Sequence, residues 1–386
     1  MTIVTVTGAG PETVDVVALG ESMVTFLPSR PGRLADVPSF ERGIGGAESN
    51  VACALARGGH SVRWVSRVGA DGFGDHLVEA VGAHGVDVSA VARDAGRPTG
   101  VYFRTAGERG SRGHEVAYYR AGSAASAMSV TNVDLDVVRA CRVLHLSGIT
   151  AAVSRGCLEL MRELVAPRAG RPLISFDVNF RPGLWGDRGE ARVLLELARA
   201  ADVVFVGADE ACDAWGLRDD GVLLEALAGP GLVVVKRGAS GATAYERGGG
   251  RALPGAGRRG LVAPTRRTPH AEDGPAPLEG VAPPPLVAVH HVAAPKVRVA
   301  AAVGAGDAFA AGFLSGTLRG LSARERLRHG HLWAAVALTV DGDLAPPPSR
   351  GHAERLVALD DEAWGRLRLG PGWTRAGEVV EEVPAP

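Results

Sequence analysis

The sequence predicts an α/β fold with a central, mostly parallel sheet, helices on both faces of that sheet, and a smaller β sheet set apart from it. Short apolar runs rich in β-branched residues alternate along the chain with longer segments that have helical spacing. Strands buried on both faces have continuous apolar sequences, so this alternation indicates parallel β–α–β units. One aromatic segment interrupts the alternation and predicts the smaller sheet.

The central sheet is predicted from five apolar runs, and its covering helices from four longer segments. The predicted strands are residues 14–20, 142–148, 172–179, 201–207 and 231–238. The predicted helices are residues 48–59, 74–85, 155–166 and 190–200. Length and β-branched content separate the two sets, because buried strands are short whereas helices repeat their apolar positions every three to four residues.

The segment 99–122 predicts a β-hairpin, because two aromatic, alternating stretches flank a polar, glycine-rich loop. Two other segments predict no fixed structure. Residues 248–285 contain eight prolines, with too few large apolar side chains to bury. The C-terminal segment 377–386 is rich in proline and glutamate.

Bulk composition excludes several classes of partner. A net charge of -1 over 386 residues gives no electrostatic case for binding nucleic acid or an anionic membrane. The four cysteines have no CxxC or Cys/His spacing, so neither a zinc site nor a disulfide framework is predicted, and a reducing compartment fits best. The N-terminus lacks the pattern of a signal peptide, and its apolar stretch is broken by glycines and acidic residues. We therefore expect a cytoplasmic protein with no nucleic-acid or membrane partner.

The segment AAAVGAGDAFAAGFLSG places one carboxylate, Asp307, among small residues. Gly304, Ala305 and Gly306 would let backbone N–H groups approach a ligand at the start of a predicted helix. Such N–H groups and the helix dipole stabilise an anion such as a transferring phosphoryl group. Asp307 would then accept the proton of an attacking hydroxyl. The alternative is a helix N-terminal carboxylate favoured by the dipole, with glycines for tight packing.

A second glycine cluster, GIGGAESNVACALARGG, also precedes a predicted helix. Gly45 and Gly46 would let the backbone touch a small polyhydroxylated ligand, and Asn50 offers hydroxyl groups both a donor and an acceptor. A tight turn with an asparagine bonded to backbone is the alternative. A third cluster, KRGASGA, follows a predicted strand and could accept adenine or ribose, although such strand-end turns are common.

Together these stretches resemble the ribokinase-like, or PfkB-type, carbohydrate kinases over residues 14–342. The motifs that carry the resemblance are GGAESNVACALARGG with SRVGADGFGDHL, and VGAGDAFAAGFLSG. The resemblance implies a ribokinase-like α/β/α sandwich with a small β lid over the sugar site. The implied kinase domain is residues 12–350, with lid strands at about 21–42 and 98–122, followed by a C-terminal extension, 351–386.

The resemblance also implies ATP and Mg²⁺, an anion hole at residues 304–306, and Asp307 as the catalytic base. The implied nucleotide-binding residues are Lys236, Gly238, Gly241, Gly304 and Gly306. Lids of this family often pair between subunits, so we expect a homodimer or a higher homo-oligomer.

Within the family, the stretches GVYFRT, YYRAGSAAS and DVNFRPGLW resemble the kinases of 2-keto-3-deoxygluconate, a sugar acid. Tyr118 and Arg120 lie two residues apart in an extended segment and would project to one face. Arg181 follows a predicted strand, at the end where open α/β sheets bind ligands. Two arginines suit a substrate carboxylate, although surface ion pairs are the alternative for both. Tyr102 would close over the sugar from the other lid strand, or pack inside the lid.

Two motifs depart from the family pattern. Ala301, Ala302 and Val303 stand where relatives commonly have Asp-Thr-Thr, which argues against a monovalent-cation requirement. In the family's Asn-x-x-Glu motif Glu210 is retained, and Gly207 replaces the asparagine. Glu210 is accordingly expected to contact magnesium only indirectly, through water.

The sequence therefore predicts ATP-dependent phosphorylation of a primary hydroxyl of a small sugar acid, 2-dehydro-3-deoxy-D-gluconate. One alternative is a kinase for a neutral sugar such as fructose or ribose, or for a nucleoside. Another is a catalytically silent protein that binds sugar acids and whose anion loop has lost its function at residues 301–303.

Overall fold

The computed structural model describes residues 11–30, 32–105, 116–185, 189–249, 251, 284–300, 303–340 and 344–374. Its strands are β1 Val14–Leu19, β2 Met23–Pro28, β3 Phe40–Gly45, β4 Val62–Gly69, β5 Val91–Asp94, β6 Val101–Arg104, β7 Val116–Tyr119, β8 Cys141–Ser147, β9 Leu173–Asp177, β10 Val203–Gly207, β11 Leu232–Lys236, β12 Ala242–Arg247, β13 Leu286–Val292, β14 Lys296–Val297 and β15 Arg368–Leu369. Its helices are α1 Ala47–Arg57, α2 Gly72–Gly82, α3 Leu135–Arg139, α4 Gly148–Val153, α5 Arg155–Val165, α6 Arg192–Ala200, α7 Ala208–Trp215, α8 Asp220–Ala226, α9 Ala305–Leu318, α10 Ala323–Leu338, α11 Arg350–Val357 and α12 Asp361–Arg366.

Nine strands form the central sheet, in the order β13-β12-β11-β10-β9-β8-β1-β4-β5. The pairs from β11 to β5 are parallel, and β12 and β13 add antiparallel strands at one edge. Alternate residues of the strands enter two separate apolar cores. Helices α1, α2 and α9 to α12 pack on one face, and α3 to α8 pack on the other. The predicted α/β/α sandwich is confirmed.

The lid is a separate four-stranded sheet, in the order β3-β2-β6-β7. The hairpin predicted at 99–122 corresponds to β6 and β7, which pair antiparallel. Strands β2 and β3 complete the lid, with β2 parallel to β6. Residues 106–115 of the hairpin loop lie outside the described residues.

The chain beyond residue 350 packs on the α9–α10 side of the sheet. Ala353, Leu356, Trp364 and Trp373 belong to the same buried cluster as Phe309 and Phe313 of α9. Strand β15 pairs in parallel with β14, so residues up to 374 extend the sandwich beyond the boundary expected at 350. Most of the segment 248–285, all of 377–386, and Ala301 and Ala302 lie outside the described residues. In the described ranges, no helix has the length and apolarity needed to cross a bilayer.

Candidate active site

Helix α9 begins at the centre of the sheet's C-terminal edge. Its N-cap, Gly304, has φ of 75°, a left-handed conformation that favours glycine over residues with a side chain. Ala305 and Gly306 start the helix, so the N–H groups of this turn have no partner within the helix, and Gly304 supplies no side-chain cap. A methyl group added at Gly306 would lie 3.8 Å from the ammonium nitrogen of Lys236 and would touch nothing closer. The turn therefore offers donors, space and a neighbouring cation to an anion.

Asp307, in the first turn of α9, is held by two asparagine side chains. Asn50 Nδ2 donates to Asp307 Oδ2 at 2.9 Å, and Asn179 Nδ2 lies 3.5 Å from Oδ1. Burial raises the pKa of Asp307 to about 7, and the nearby Asp177 adds to the rise. The hydrogen bond from Asn50, with Arg181 and Lys236, opposes it. A carboxylate with a pKa close to neutral pH is well placed to act as a general base.

Asn50 was predicted to bind substrate hydroxyls, and the structure brings it to Asp307. Its Oδ1 is buried and has no hydrogen-bond partner among the described residues. A hydroxyl group next to Asp307 could therefore donate to this oxygen. Asn50 is therefore part of the candidate site: its Nδ2 binds the carboxylate of Asp307, and its Oδ1 is left for a ligand.

Asn179, two residues after the end of β9, was not predicted as a site residue. Its φ is 42°, the one positive φ of a non-glycine residue in the described ranges. Asparagine tolerates this conformation better than most residues. A signal existed in the sequence, because the residue stands at the C-terminal end of the predicted strand 172–179, where open α/β sheets bind ligands.

A row of polar residues crosses the sheet beneath α9. Lys236, the last residue of β11, donates from Nζ to Asp177 Oδ1 at 3.0 Å and to Oδ2 at 2.9 Å. Burial opposes the charged ammonium, but Asp177 and then Glu210 outweigh that effect and raise the pKa of Lys236. His145 of β8 pairs with Ser175, two residues before Asp177 on β9, and burial lowers the pKa of His145 to about 4 and keeps it neutral. Lys236 was predicted to bind nucleotide, whereas Asp177 was not singled out.

Glu210 lies at the start of α7, beside this row. Its Oε2 accepts a hydrogen bond from the backbone N–H of Gly207 at 2.8 Å, and its Oε1 lies 3.5 Å from Arg181 Nη1. Burial raises the pKa of Glu210, and the charge of Lys236 is the strongest opposing influence. Asp177, Lys236, Glu210, Arg181 and Asp307 thus form one electrostatically coupled cluster.

The lid carries the two tyrosines that were predicted to cover the sugar. Tyr102 of β6 stands directly opposite Tyr118 of β7, with ring centroids 5.4 Å apart. Tyr102 is buried, whereas 49% of the Tyr118 surface is exposed. Tyr118 therefore keeps about half of its surface open to a ligand, and its ring packs against the buried Tyr102.

The two predicted arginines have different surroundings. Arg120, just after β7, forms a buried ion pair with Glu21, whose Oε1 also accepts from Ser123 Oγ at 2.6 Å. Arg181 keeps 29% of its side chain exposed and meets Glu210 only at 3.5 Å. Glu21, which the sequence analysis did not single out, thus compensates the charge of Arg120 inside the protein.

The remaining predicted glycines occupy tight turns. A methyl group at Gly46, the N-cap of α1, would lie 2.5 Å from the Glu21 carbonyl oxygen, and Gly45 is the last residue of β3. A methyl group at Gly241 would lie 2.2 Å from the Val292 carbonyl oxygen, whereas Gly238 has open space around it. Packing accounts for glycine at 46 and 241, whereas the open space around Gly238 leaves its backbone accessible to a nucleotide.

The carboxylates fit an indirect contact with magnesium better than a direct cage. In the described part of the chain, no group of three or more His, Cys, Asp or Glu residues could hold a metal ion. Asp177 is engaged by Lys236, and Glu210 by Gly207 and Arg181. Magnesium commonly keeps several waters and binds through one or two carboxylates and substrate phosphates, which agrees with these two residues.

Comparison with known proteins identifies the same family from sequence and from structure. The sequence profile of the pfkB family carbohydrate kinases matches residues 14–262 and 286–350. A 2-dehydro-3-deoxygluconokinase of Bacillus subtilis (strain 168) is 32% identical over 342 residues, 87% of this chain and 93% of that protein. One of Thermoproteus tenax is 30% identical over 348 residues, 89% of this chain and 94% of that protein. The crystal structure of a PfkB protein from Polaromonas sp. JS666 covers 89% of this chain and 99% of its own, at 32% identity and a TM-score of 0.70.

Proposed function

The chain belongs to the PfkB family of carbohydrate kinases, and from that membership we propose that it transfers the γ-phosphoryl group of ATP to a primary hydroxyl of 2-dehydro-3-deoxy-D-gluconate. The observation that carries this proposal is the position of Asp307. It combines a raised pKa with a place in the first turn of α9, beside unpartnered N–H groups and Lys236. General base, anion site and cation are therefore adjacent, as phosphoryl transfer requires.

The proposed reaction is a direct displacement at phosphorus. The substrate hydroxyl oxygen forms a bond to the γ-phosphorus, and the bond from that phosphorus to the bridging oxygen of ADP breaks. ADP leaves with the bonding electron pair, and the hydroxyl proton passes to Asp307. The N–H groups at residues 304–306 stabilise the charge on the transferring group. Mg²⁺, when bound, would neutralise phosphate charge, and Asp177 and Glu210 would hold it through water.

Recognition of a sugar acid is assigned to Arg181 and the lid. Arg181 lies at the C-terminal end of β9, partly exposed, within the electrostatic reach of Asp307. A guanidinium group binds a carboxylate with two parallel hydrogen bonds, which would fix the far end of the substrate. Asn50 Oδ1 would accept from a substrate hydroxyl, and Tyr102 and Tyr118 would cover the sugar. Similarity to two kinases named for this sugar acid supports the choice.

The test is an assay of ADP release from purified protein with a panel of acceptors, with and without potassium. The panel holds 2-dehydro-3-deoxy-D-gluconate, gluconate, fructose, ribose and adenosine. We expect the highest kcat/KM for 2-dehydro-3-deoxy-D-gluconate. Efficient turnover of a neutral sugar, with none of the sugar acid, would overturn the substrate assignment while leaving the kinase assignment intact.

One observation favours a neutral sugar as the second candidate. Both arginines have carboxylate neighbours, Arg120 at Glu21 and Arg181 at Glu210, so neither needs a substrate carboxylate for charge balance. A silent binding protein is the third candidate, since Val303 departs from the family pattern and Ala301 and Ala302 lie outside the described residues. Binding of the sugar acid with no ADP release would support it.

The oligomer is proposed from the lid. Phe26, Phe40, Phe103 and Tyr119 form an aromatic cluster on the lid face opposite Tyr118, and 66% of the Tyr119 surface is exposed. A second lid could cover this face, which gives a homodimer measurable by sedimentation. The cytoplasmic location stays a prediction.

A further inference from the structure

Lysine is rare in this chain. Its 42 basic residues include two lysines, Lys236 and Lys296, and the rest are arginines. Lys296 is exposed on β14, whereas Lys236 is partly buried beside the start of α9. Nearly all positively charged side chains of this protein are therefore guanidinium groups. Lys236 is one of two positions that carry an ammonium group. An ammonium is a compact point charge with three donors, whereas a guanidinium carries the same charge in a larger, planar group.

The lysine side chain spans a neighbouring strand to reach its partner. Strand β10 lies between β9, which carries Asp177, and β11, which ends in Lys236. Gly207 is the residue of β10 paired with Lys236, so the strand has no side chain at this level. The ammonium thus crosses β10 and arrives beneath the first turn of α9, next to Gly306.

The hydrogen bonds of the ammonium leave one donor for a ligand. Within the described residues, Nζ donates only to the two carboxylate oxygens of Asp177. These bonds account for two of its three N–H groups. Because Nζ also lies 3.8 Å from the position of a methyl group on Gly306, its remaining donor is close to the space in front of the anion loop.

We propose that Lys236 is the cation that contacts the γ-phosphoryl group of ATP at the anion loop, and that Asp177 is a positioning residue that holds the ammonium there. The inference rests on the proposed kinase function but not on the identity of the sugar. Lys236 then binds the part of the nucleotide that ADP lacks, rather than the adenine or ribose. During transfer its charge stabilises the equatorial oxygens of the transferring group, while Asp177 keeps the ammonium from following that group.

A purely structural ion pair is the competing explanation. Such a pair would stabilise the fold without regard to nucleotide, because breaking any buried pair leaves an uncompensated charge. The two explanations differ in one measurable property, the preference for a γ-phosphate. That preference can be measured without any sugar.

The first experiment is calorimetric titration of ADP and of the non-hydrolysable analogue AMPPNP, each with magnesium. The proteins are wild type, Lys236→Met, and Lys296→Met as the matched lysine control. For Lys236→Met we expect AMPPNP affinity to fall about tenfold or more and ADP affinity to change by less than about twofold, with kcat lower by about 10²–10³-fold. Lys296→Met should match wild type. Equal losses for both nucleotides, or no loss, would overturn the proposal.

The positioning role of Asp177 has its own variant. Asp177→Asn keeps one acceptor for Nζ but loses the countercharge, so we expect a fall in kcat larger than the change in KM for ATP. Lys236→Arg, which keeps the charge but changes the shape, should retain part of the preference for AMPPNP over ADP. A rise in KM with unchanged kcat in Asp177→Asn would contradict a positioning role during transfer.

A second measurement remains decisive if Lys236→Met does not fold. Protein labelled with ¹⁵Nζ-lysine has two side-chain ammonium signals, and Lys296→Met leaves only that of Lys236. We expect this signal to shift on addition of AMPPNP and much less on addition of ADP. The same shift with both nucleotides would place Lys236 elsewhere on the nucleotide. If wild type binds neither nucleotide, the proposed kinase function is wrong. If wild type binds both but the Lys236 signal responds equally to each, only the proposed role of Lys236 is wrong.

Discussion

The two sides of the candidate site are built differently. The phosphate side consists of strand ends of the central sheet and the first turn of α9, and its charges form one buried, mutually paired cluster. The side proposed to bind the sugar is the four-stranded lid, where Tyr118 is half-exposed beside Tyr102 and Arg120 forms a buried ion pair with Glu21. A rigid cluster suits chemistry that is the same for every acceptor, whereas a separate lid suits selection of the acceptor.

This difference predicts how substitutions on each side will change the kinetics. Changes on the phosphate side should lower kcat with every acceptor, and changes on the sugar side should alter KM for particular acceptors. Arg181 belongs to both sides of this proposal, because it is assigned to the substrate carboxylate and also influences Asp307 and Glu210. Substitution of Arg181 is therefore the change most able to affect both kcat and the KM for the sugar.

The largest effect is expected for Asp307→Asn. The asparagine has nearly the same shape but cannot accept the hydroxyl proton, so kcat should fall by about 10²–10⁴-fold with every acceptor. Thermal unfolding should be unchanged or occur at a higher temperature, because a buried carboxylate is replaced by a neutral group. Turnover within about tenfold of wild type would remove Asp307 from the role of base.

Gly306→Ala should give the next largest effect. The added methyl group contacts nothing in the protein closer than 3.8 Å, so the fold should be unaffected. It would occupy space assigned to the transferring phosphoryl group, and misplacement by about 1 Å costs about 10²-fold in rate. Gly365→Ala, in open space on α12, is the matched control and should retain full activity. Normal kcat in Gly306→Ala would mean that phosphate binds elsewhere.

Arg181→Ala tests the residue shared by the two sides. Loss of a charge-assisted hydrogen bond of about 1.5–3 kcal/mol should lower kcat/KM for the sugar acid by about 10–100-fold. A neutral sugar, if turned over at all, should be affected much less. Arg155→Ala is a matched control, because the side chain of Arg155 is 91% exposed. Equal losses for acid and neutral acceptors would show that Arg181 acts through Asp307 instead.

The pH dependence follows from the raised pKa of Asp307. The base must be ionised, so kcat/KM should fall about tenfold per pH unit below about 7 and level off above it. Stability has the opposite sign: the protonated form is favoured by the fold, so the contribution of this group is complete below 3.8 and lost as pH rises through about 7. Chemical denaturation of wild type and Asp307→Asn at pH 5.5 and 8 measures this. A wild-type profile with no inflection near 7 would contradict the assignment.

Much of the fold follows from local sequence patterns. The five predicted strands correspond to β1 and β8 to β11, because each is a continuous apolar run. Strand β4 was not predicted, since its sequence VRWVSRVG contains arginines. Arg63 and Arg67 are accommodated in the strand by ion pairs with Asp87 at 2.6 Å and Asp94 at 2.8 Å. Such compensation is a tertiary property that no local pattern contains.

The candidate site likewise contains residues that a local motif reveals and residues that only the folded structure reveals. Asp307 and its glycines form one short motif, so the sequence could single them out, and Arg181 was singled out from the family resemblance and its position after a predicted strand. Asp177, Asn179 and Glu21 were missed because their roles depend on partners that are distant in sequence. The contact between Asn50 and Asp307 joins residues 257 positions apart. The scarcity of lysine was visible in the composition and could have directed attention to Lys236 and to whatever holds it.

The smallest effect is expected for Tyr118→Phe, which tests the lid alone. Removing the phenol oxygen leaves the ring against Tyr102 and costs one hydrogen bond to the sugar, about 0.5–1.5 kcal/mol. KM for the sugar should rise by about twofold to tenfold, with kcat and KM for ATP unchanged. Tyr119→Phe is the matched control. Tyr119 is the next residue along β7, so its side chain points to the opposite face of the lid, where it contacts Phe103. A fall in kcat for Tyr118→Phe would show that lid and phosphate side are coupled, and equal effects of the two variants would remove Tyr118 from the sugar site.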